Sequence, residues 1–164
     1  MLNPLIAFQQ AQLVTPELAG KKLGDMRYLV FNQNFSLGAS PAGLASLTQQ
    51  GPTGQPFAAG AIILGVTASA TPVTQPAQPF LTGRQRFQLA INYTQSDALT
   101  TSGTGQTGLG NADAVLGGGD DTIFPPKFLY FPPQQSAFTT VANLTTEALR
   151  ITISYHALVW RFSQ

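Results

Sequence analysis

The sequence predicts an all-β domain of antiparallel strands, and three observations carry that prediction. Several segments alternate apolar and polar residues with the two-residue period of a half-buried strand. Long connections rich in Pro, Gly, Gln and Thr separate them. No helical pattern long enough to serve as a crossover lies between them, so parallel β-α-β units are excluded and an antiparallel sandwich or barrel is expected.

In chain order, residues 1 to about 26 differ in texture from the rest. Leu5, Ile6, Phe8 and Leu13 are scattered among Gln and Ala, and Thr15-Pro16-Glu17 suits the opening of a short helical turn. This segment is either a short helix packed on the body or an extended arm that latches onto a neighbouring subunit. Residues 27–164 form the β domain. In 27–37 one face carries Leu29, Phe31, Phe35 and Leu37. Residues 61–70 are apolar and β-branched, as in a strand buried on both faces, and Gly65 within them marks a bulge or a close backbone approach. Residues 86–93 alternate, with Phe87, Leu89, Ile91 and Tyr93 inward and Arg86, Gln88, Ala90 and Asn92 outward. Shorter strands are expected at 127–131 and 137–142. The clearest strand comes last: Leu149, Ile151, Ile153, Tyr155, Ala157 and Val159 face inward, with Arg150, Thr152, Ser154, His156, Leu158 and Trp160 outward. Residues 38–58, 71–83 and 94–122 are the long connections, a length usually reserved for functional or disordered loops.

Charge is the most unusual feature of the composition. The 164 residues hold 43% hydrophobic side chains, an ordinary share, but only 9% charged ones, against about 25% in typical soluble domains. From Tyr28 to Gly83 there is no Asp, Glu, Lys or Arg. A neutral polar surface is inexpensive to desolvate against a partner, so many of these surfaces are expected to be covered in an assembly. The net charge of +1 argues against a dedicated nucleic-acid or anionic-membrane surface. Lys21, Lys22 and Arg27, like Arg84 and Arg86, read as solvated groups or partner salt bridges. MLNPLIAFQQ lacks a basic n-region, its apolar run is broken by Gln9 and Gln10, and no apolar run reaches membrane-spanning length. The sequons at Asn34, Asn92 and Asn143 read as chance matches.

Catalytic chemistry finds little material, and no enzyme is expected. There is no cysteine and one histidine, His156, placed mid-strand, so neither a triad nor a His/Cys zinc site can be assembled. The seven acids include one adjacent pair, Asp120-Asp121, where glycosidases need two facing carboxylates. Residues 110–123 look like roughly one and a half units of the calcium-binding β-roll repeat, with Asp113, Asp120 and Asp121 as candidate oxygen ligands. That architecture stacks several repeats, so a flexible glycine-rich loop is the plainer reading, and no cofactor is expected.

The most recognisable pattern lies in the second half. Ile123-Phe-Pro-Pro-Lys-Phe-Leu-Tyr-Phe-Pro-Pro-Gln-Gln-Ser136 leads into Phe138-Thr-Thr-Val-Ala-Asn-Leu144 and a strand ending Ile153-Ser-Tyr-His-Ala-Leu-Val-Trp160. It resembles bacteriophage β-sandwich virion proteins, and Phe57-Ala-Ala-Gly-Ala-Ile-Ile-Leu-Gly-Val-Thr-Ala68 is similar to their buried central strand. The similarity is one of texture over residues 27–162 and brings no catalytic residues. It implies a jelly-roll-like sandwich in a minor capsid, head-decoration or head–tail connection protein, located in the virion and assembled in the host cytoplasm. Its partners would be further copies of itself and other virion proteins such as the major capsid protein. Phe8, Phe57, Phe80, Phe124 and Tyr130 are the candidate contact residues. The alternative is a tail or fibre module that recognises host-surface carbohydrate, with Tyr93, Tyr130 and Trp160 as candidate platforms. A third reading is calcium-dependent adhesion.

Overall fold

The computed structural model describes residues 3–14, 16–39, 46–50, 60–73, 83–95, 103–106, 110–112, 129–131 and 138–161. Among them the chain is built of antiparallel β-sheets with one short α-helix. The strands are β1 (Met26–Leu37), β2 (Ser46–Gln50), β3 (Ala61–Pro72), β4 (Phe87–Gln95), β5 (Gly103–Gln106), β6 (Gly110–Asn111), β7 (Leu129–Phe131), β8 (Phe138–Asn143) and β9 (Leu149–Trp160). They form two sheets. Sheet A has the order β1-β9-β3-β7, and sheet B the order β2-β8-β4-β5 with β6 also on β4. The pairing is nested: β1 with β9, β2 with β8, β3 with β7, and β4 with β5. Two further pairings, β3 with β9 and β4 with β8, close each sheet.

The alternating segments fall where their patterns place them. In β9 the six inward residues from Leu149 to Val159 are all buried. The register with β1 runs unbroken from Met26↔Trp160 to Leu37↔Leu149. β3 is buried without interruption from Ala61 to Val66, and its register against β9 shifts between Ile63 and Gly65, the bulge that the glycine foreshadows. One apolar cluster draws on both sheets: Phe35, Ile63, Val66, Ile151, Ile153 and Tyr155 of sheet A lie with Phe87, Leu89, Ile91 and Val141 of sheet B. Full burial of each large side chain contributes about 1.5–3 kcal/mol, so this shared cluster is the main cohesive element.

Three expectations are corrected. Residues 46–50, read within a connection, are a strand on β8, and residues 103–106 and 110–111, read within a glycine-rich loop, are strands on β4. Ser-Leu-Thr-Gln-Gln and Gly-Thr-Gly-Gln carry no apolar alternation, so their pairing follows from the neighbouring strand rather than from their own pattern. Arg86, read as outward and solvated, is 3% exposed, because a short 3-10 turn at Gly83–Arg86 precedes β4 and folds it in.

The first described segment is a helix, α1 (Pro4–Val14). Asn3 caps it: its Oδ1 accepts from the backbone N–H of Leu5 at 2.9 Å and of Ile6 at 3.4 Å, with Pro4 in the first helical position, where its missing N–H costs nothing. After a 3-10 turn at Pro16–Leu18, the Gln12 amide donates to the carbonyls of Leu18 (3.3 Å) and Lys21 (2.8 Å), folding the connection back along the helix. Ala7, Phe8, Ala11 and Leu18 pack on Met26, Ile62, Leu64 and Leu158, outward-facing residues of sheet A. This second apolar cluster explains why Leu158 is buried on the face opposite the main core.

Candidate functional site

Three groups of polar side chains organise the two-sheet body. Two are buried and one is open.

The first crosses between the sheets. Gln33 of β1, Thr139 of β8 and Tyr155 of β9 are all buried. Thr139 Oγ1 donates to Gln33 Oε1 at 2.8 Å. Its proton is thereby committed, so the Tyr155 hydroxyl donates to Thr139 Oγ1 in the contact between them. Burial pushes the Tyr155 hydroxyl well above the ordinary phenol range. An un-ionised phenol in an apolar surround is a positioning device: the chain of hydrogen bonds ties Gln33 and Tyr155 of sheet A to Thr139 of sheet B.

The second gathers strand ends. Asn143, fully buried, donates through Nδ2 to the carbonyls of Gly38 (2.9 Å) and Glu147 (2.6 Å). Its Oδ1 accepts from the Thr145 backbone N–H at 2.8 Å. The Leu144 N–H donates to the Arg86 carbonyl and the Val73 N–H to the Ala148 carbonyl, each at 2.9 Å. Arg86 Nη1 meets Glu147 Oε2 at 3.2 Å, with side chains 4% and 7% exposed. The turn between β8 and β9 therefore holds the ends of β1, β3 and β8 and the start of β4. Arg86 and Glu147 stabilise this junction instead of facing solvent, and the sequon at Asn143 is enclosed within it. Gly83 belongs here too: a Cβ on it would lie 2.8 Å from the Ala70 carbonyl oxygen and 3.1 Å from the Ala70 nitrogen. Its lack of a side chain lets the turn before β4 press on β3.

The third is the outer face of sheet A beyond the helix. Registered ranks run Thr71–Arg150–Ser36, Ser69–Thr152–Asn34 and Thr67–Ser154–Asn32 across β3, β9 and β1. Thr152 Oγ1 donates to Asn34 Oδ1 at 2.9 Å. His156 bridges three strands, with Nδ1 at 2.5 Å from the Tyr28 hydroxyl and Nε2 at 3.2 Å from Thr67 Oγ1. Its imidazole is thus engaged at both nitrogens. The Tyr28 and His156 rings lie 6.1 Å apart at 30°, and Tyr28 is half exposed. The result is a nearly uncharged surface of hydroxyls and amides with an aromatic pair at one end.

Of the candidate contact residues, Phe8 is buried between α1 and sheet A and packs within the chain. Tyr130 lies in β7, paired with Ile62, and its side chain falls outside the described residues, as do Phe57, Phe80 and Phe124. Asp113, Asp120 and Asp121 also lie outside them. Among the described residues no three His, Asp or Glu side chains gather as a metal site. Trp160 is half-buried, with Lys21 Nζ 5.8 Å from its ring centroid. The side chain of Tyr93 is not among those described. The sequence reading missed Gln33, Thr139 and the Arg86–Glu147 pair. A signal was available for one of them, since Gln33 occupies an inward position between Phe31 and Phe35.

No family model matches the chain, and neither a curated protein nor a solved structure matches it. Among the described residues no helix is long and apolar enough to cross a membrane.

Proposed function

We propose that this chain is a non-enzymatic structural protein of a virus particle, a jelly-roll-like sandwich that packs into or decorates a capsid. The observation that carries the proposal is the nested strand order. A nested pairing of β1·β9, β2·β8, β3·β7 and β4·β5, in which β9 also meets β3 and β8 also meets β4, is the order expected of a jelly-roll winding and supports that reading. That winding is frequent in viral capsid proteins, and also in lectins and cupins. Fold alone does not select among these. The charge-poor composition favours assembly, because a surface of amides and hydroxyls loses little when a neighbour covers it. A cupin-type metal centre lacks donors, with one histidine and no cysteine in the chain.

A carbohydrate-binding module on the same winding is the second reading. What favours it is the nearly uncharged hydroxyl and amide face of sheet A with Tyr28 at its edge.

Quantitative mass spectrometry of purified particles from the natural source separates the two. Hundreds of copies per particle place the chain on the capsid lattice, and about a dozen place it at a vertex, collar or tail. Its absence from particles overturns the structural reading and moves the soluble binding module to first place.

A further inference from the structure

Sheet A ends on β1, and this edge differs from the other described edges of the fold. The strands that border the sheets elsewhere are short: three residues in β7, five in β2 and four in β5. Beyond β7, the side of β3 away from β9 is blunted. Arg84 Nε donates to the Ala68 carbonyl at 3.3 Å, the turn at Gly83 sits against the Ala70 carbonyl, and Pro72 has no N–H to offer. Short strands, prolines, covering turns and charges keep an edge from pairing with another chain. Among the described residues β1 has none of these defences. It is twelve residues long, its register with β9 is unbroken by a bulge, and from Tyr28 to Leu37 it holds neither proline nor a charged residue.

The direction of its backbone groups follows from one hydrogen bond. The Arg161 N–H donates to the Asp25 carbonyl at 2.9 Å, and these two residues continue the register of Met26↔Trp160. Hydrogen-bonded and non-hydrogen-bonded pairs alternate along an antiparallel ladder. Odd-numbered residues of β1 therefore bond to β9, and even-numbered ones point the other way. Met26 agrees, since its N–H turns to the Leu23 carbonyl. Val30, Asn32, Asn34 and Ser36 thus direct a row of N–H and C=O groups off the sheet, where no described strand pairs with β1. A β-strand is what completes such a row.

The missing defences also bear on whose strand it is. An edge reserved for a different protein has to be guarded against the chain's own copies, which carry a strand of matching length at the same concentration. β1 is not guarded against itself. Its one charged residue, Arg27, sets the direction: antiparallel pairing holds the two Arg27 side chains at opposite ends, whereas parallel pairing sets like charges side by side. We propose that β1 pairs antiparallel with β1 of a second copy about a two-fold axis at Asn32, joining two four-stranded A sheets into one. The proposal rests on the assembly reading above and names its first contact. Pairing of this kind consumes the edge it uses, so it closes at a dimer.

The test uses the purified full chain by itself, so a failure here overturns this contact and leaves the particle copy number to judge the assembly reading. Sedimentation velocity from micromolar to near-millimolar chain should show a monomer–dimer equilibrium. Residue-resolved amide exchange should show protection at Val30, Asn32, Asn34 and Ser36 that grows with concentration, while Leu29 and Phe35, bonded to β9, stay protected throughout. Asn32→Pro removes an N–H that β9 does not use, so the fold is kept. Dimerisation should weaken at least about tenfold, because two donors on the axis are lost at about a factor of five each. Asn32→Ala keeps the N–H and should dimerise as the wild type does. The chain has no cysteine, and paired residues on the axis lie about 5.5 Å apart between Cα atoms, within disulfide range. Asn32→Cys should therefore form an intermolecular disulfide under mild oxidation, and Ser36→Cys, displaced from the axis, should not. A monomer at every concentration, exchange at the four even positions that ignores concentration, a folded Asn32→Pro that still dimerises fully, or equal cross-linking at positions 32 and 36 would each overturn the proposal. If Asn32→Pro does not fold, the wild-type exchange pattern decides.

Discussion

Arg86 and Glu147 offer the most direct measure of what holds the strand-end junction. Their contact is 3.2 Å, and the two side chains are 4% and 7% exposed, so solvent screens the pair little. Removing one partner from a buried ion pair leaves the other charge desolvated without its counter-ion, at a cost of about 3–5 kcal/mol. Arg86→Met should therefore lose about that much. For a domain of this size, such a loss lowers the melting temperature by about 6–20 °C. Because total stability is about 5–15 kcal/mol, the variant retains a folded state only if the wild type lies above the bottom of that range. The companion double variant Arg86→Met/Glu147→Leu removes both charges, and should recover to within about 1–2 kcal/mol of wild type, since an apolar pair of similar volume commonly replaces a buried ion pair at little loss. Urea denaturation of wild type, both singles and the double gives the coupling energy directly. The large penalty should persist in about 1 M salt, as screening acts weakly on buried charges. Singles that each lose less than about 1 kcal/mol, or a double variant as unstable as the sum of its parts, would refute the reasoning. Either result would mean that solvent reaches the pair in solution.

Three further outcomes follow from the other close contacts. Tyr155→Phe should lose about 1–3 kcal/mol by leaving the Thr139 oxygen without its donor. The buried phenol also titrates higher in the folded chain than in the unfolded one. Its contribution is complete below the unfolded value near pH 10 and lost as pH rises above it, at up to about 1.4 kcal/mol per pH unit. Stability against pH from about 8 to 12 should fall less steeply in Tyr155→Phe than in wild type, and identical slopes would contradict the assignment. Gly83→Ala forces a Cβ onto the Ala70 backbone at 2.8 Å and should cost about 1–3 kcal/mol. At Gly38 nothing lies within 4 Å of the added atom, and Gly38→Ala should change the urea midpoint little; equal effects at the two sites would contradict the close approach.

The elements that could be read from the sequence are those whose own residues encode a face. β9 and β1 alternate over most of their twelve residues, and the apolar run with Gly65 pointed to the buried strand and to a bulge or close approach within it. β2, β5 and β6 could not be read, because their Ser, Thr, Gln and Gly residues pair through backbone groups that every residue type carries. Arg86 was misplaced for a related reason. A period-two pattern assigns faces correctly only while the backbone stays extended, and the 3-10 turn ends that regularity one residue before Phe87. The two faces of α1 divide the same way. Exposed Leu13 and buried Phe8 sit on one short helix of nearly uniform apolarity, and only contact with sheet A decides which of them faces inward.

The place of β9 in sheet A has a consequence for how the chain is made. β9 lies between β1 and β3, which pair with it and not with each other. During synthesis both earlier strands therefore emerge without their shared neighbour, and wait through a long stretch of sequence for a template still to be translated. Such remote pairing folds slowly and leaves strand edges open to misassociation in the meantime. A nascent chain stopped before Leu149 would hold two long, nearly uncharged strands with nothing between them. Shielding of that species, or rapid synthesis past residues 38–148, is expected to raise the yield of folded chain.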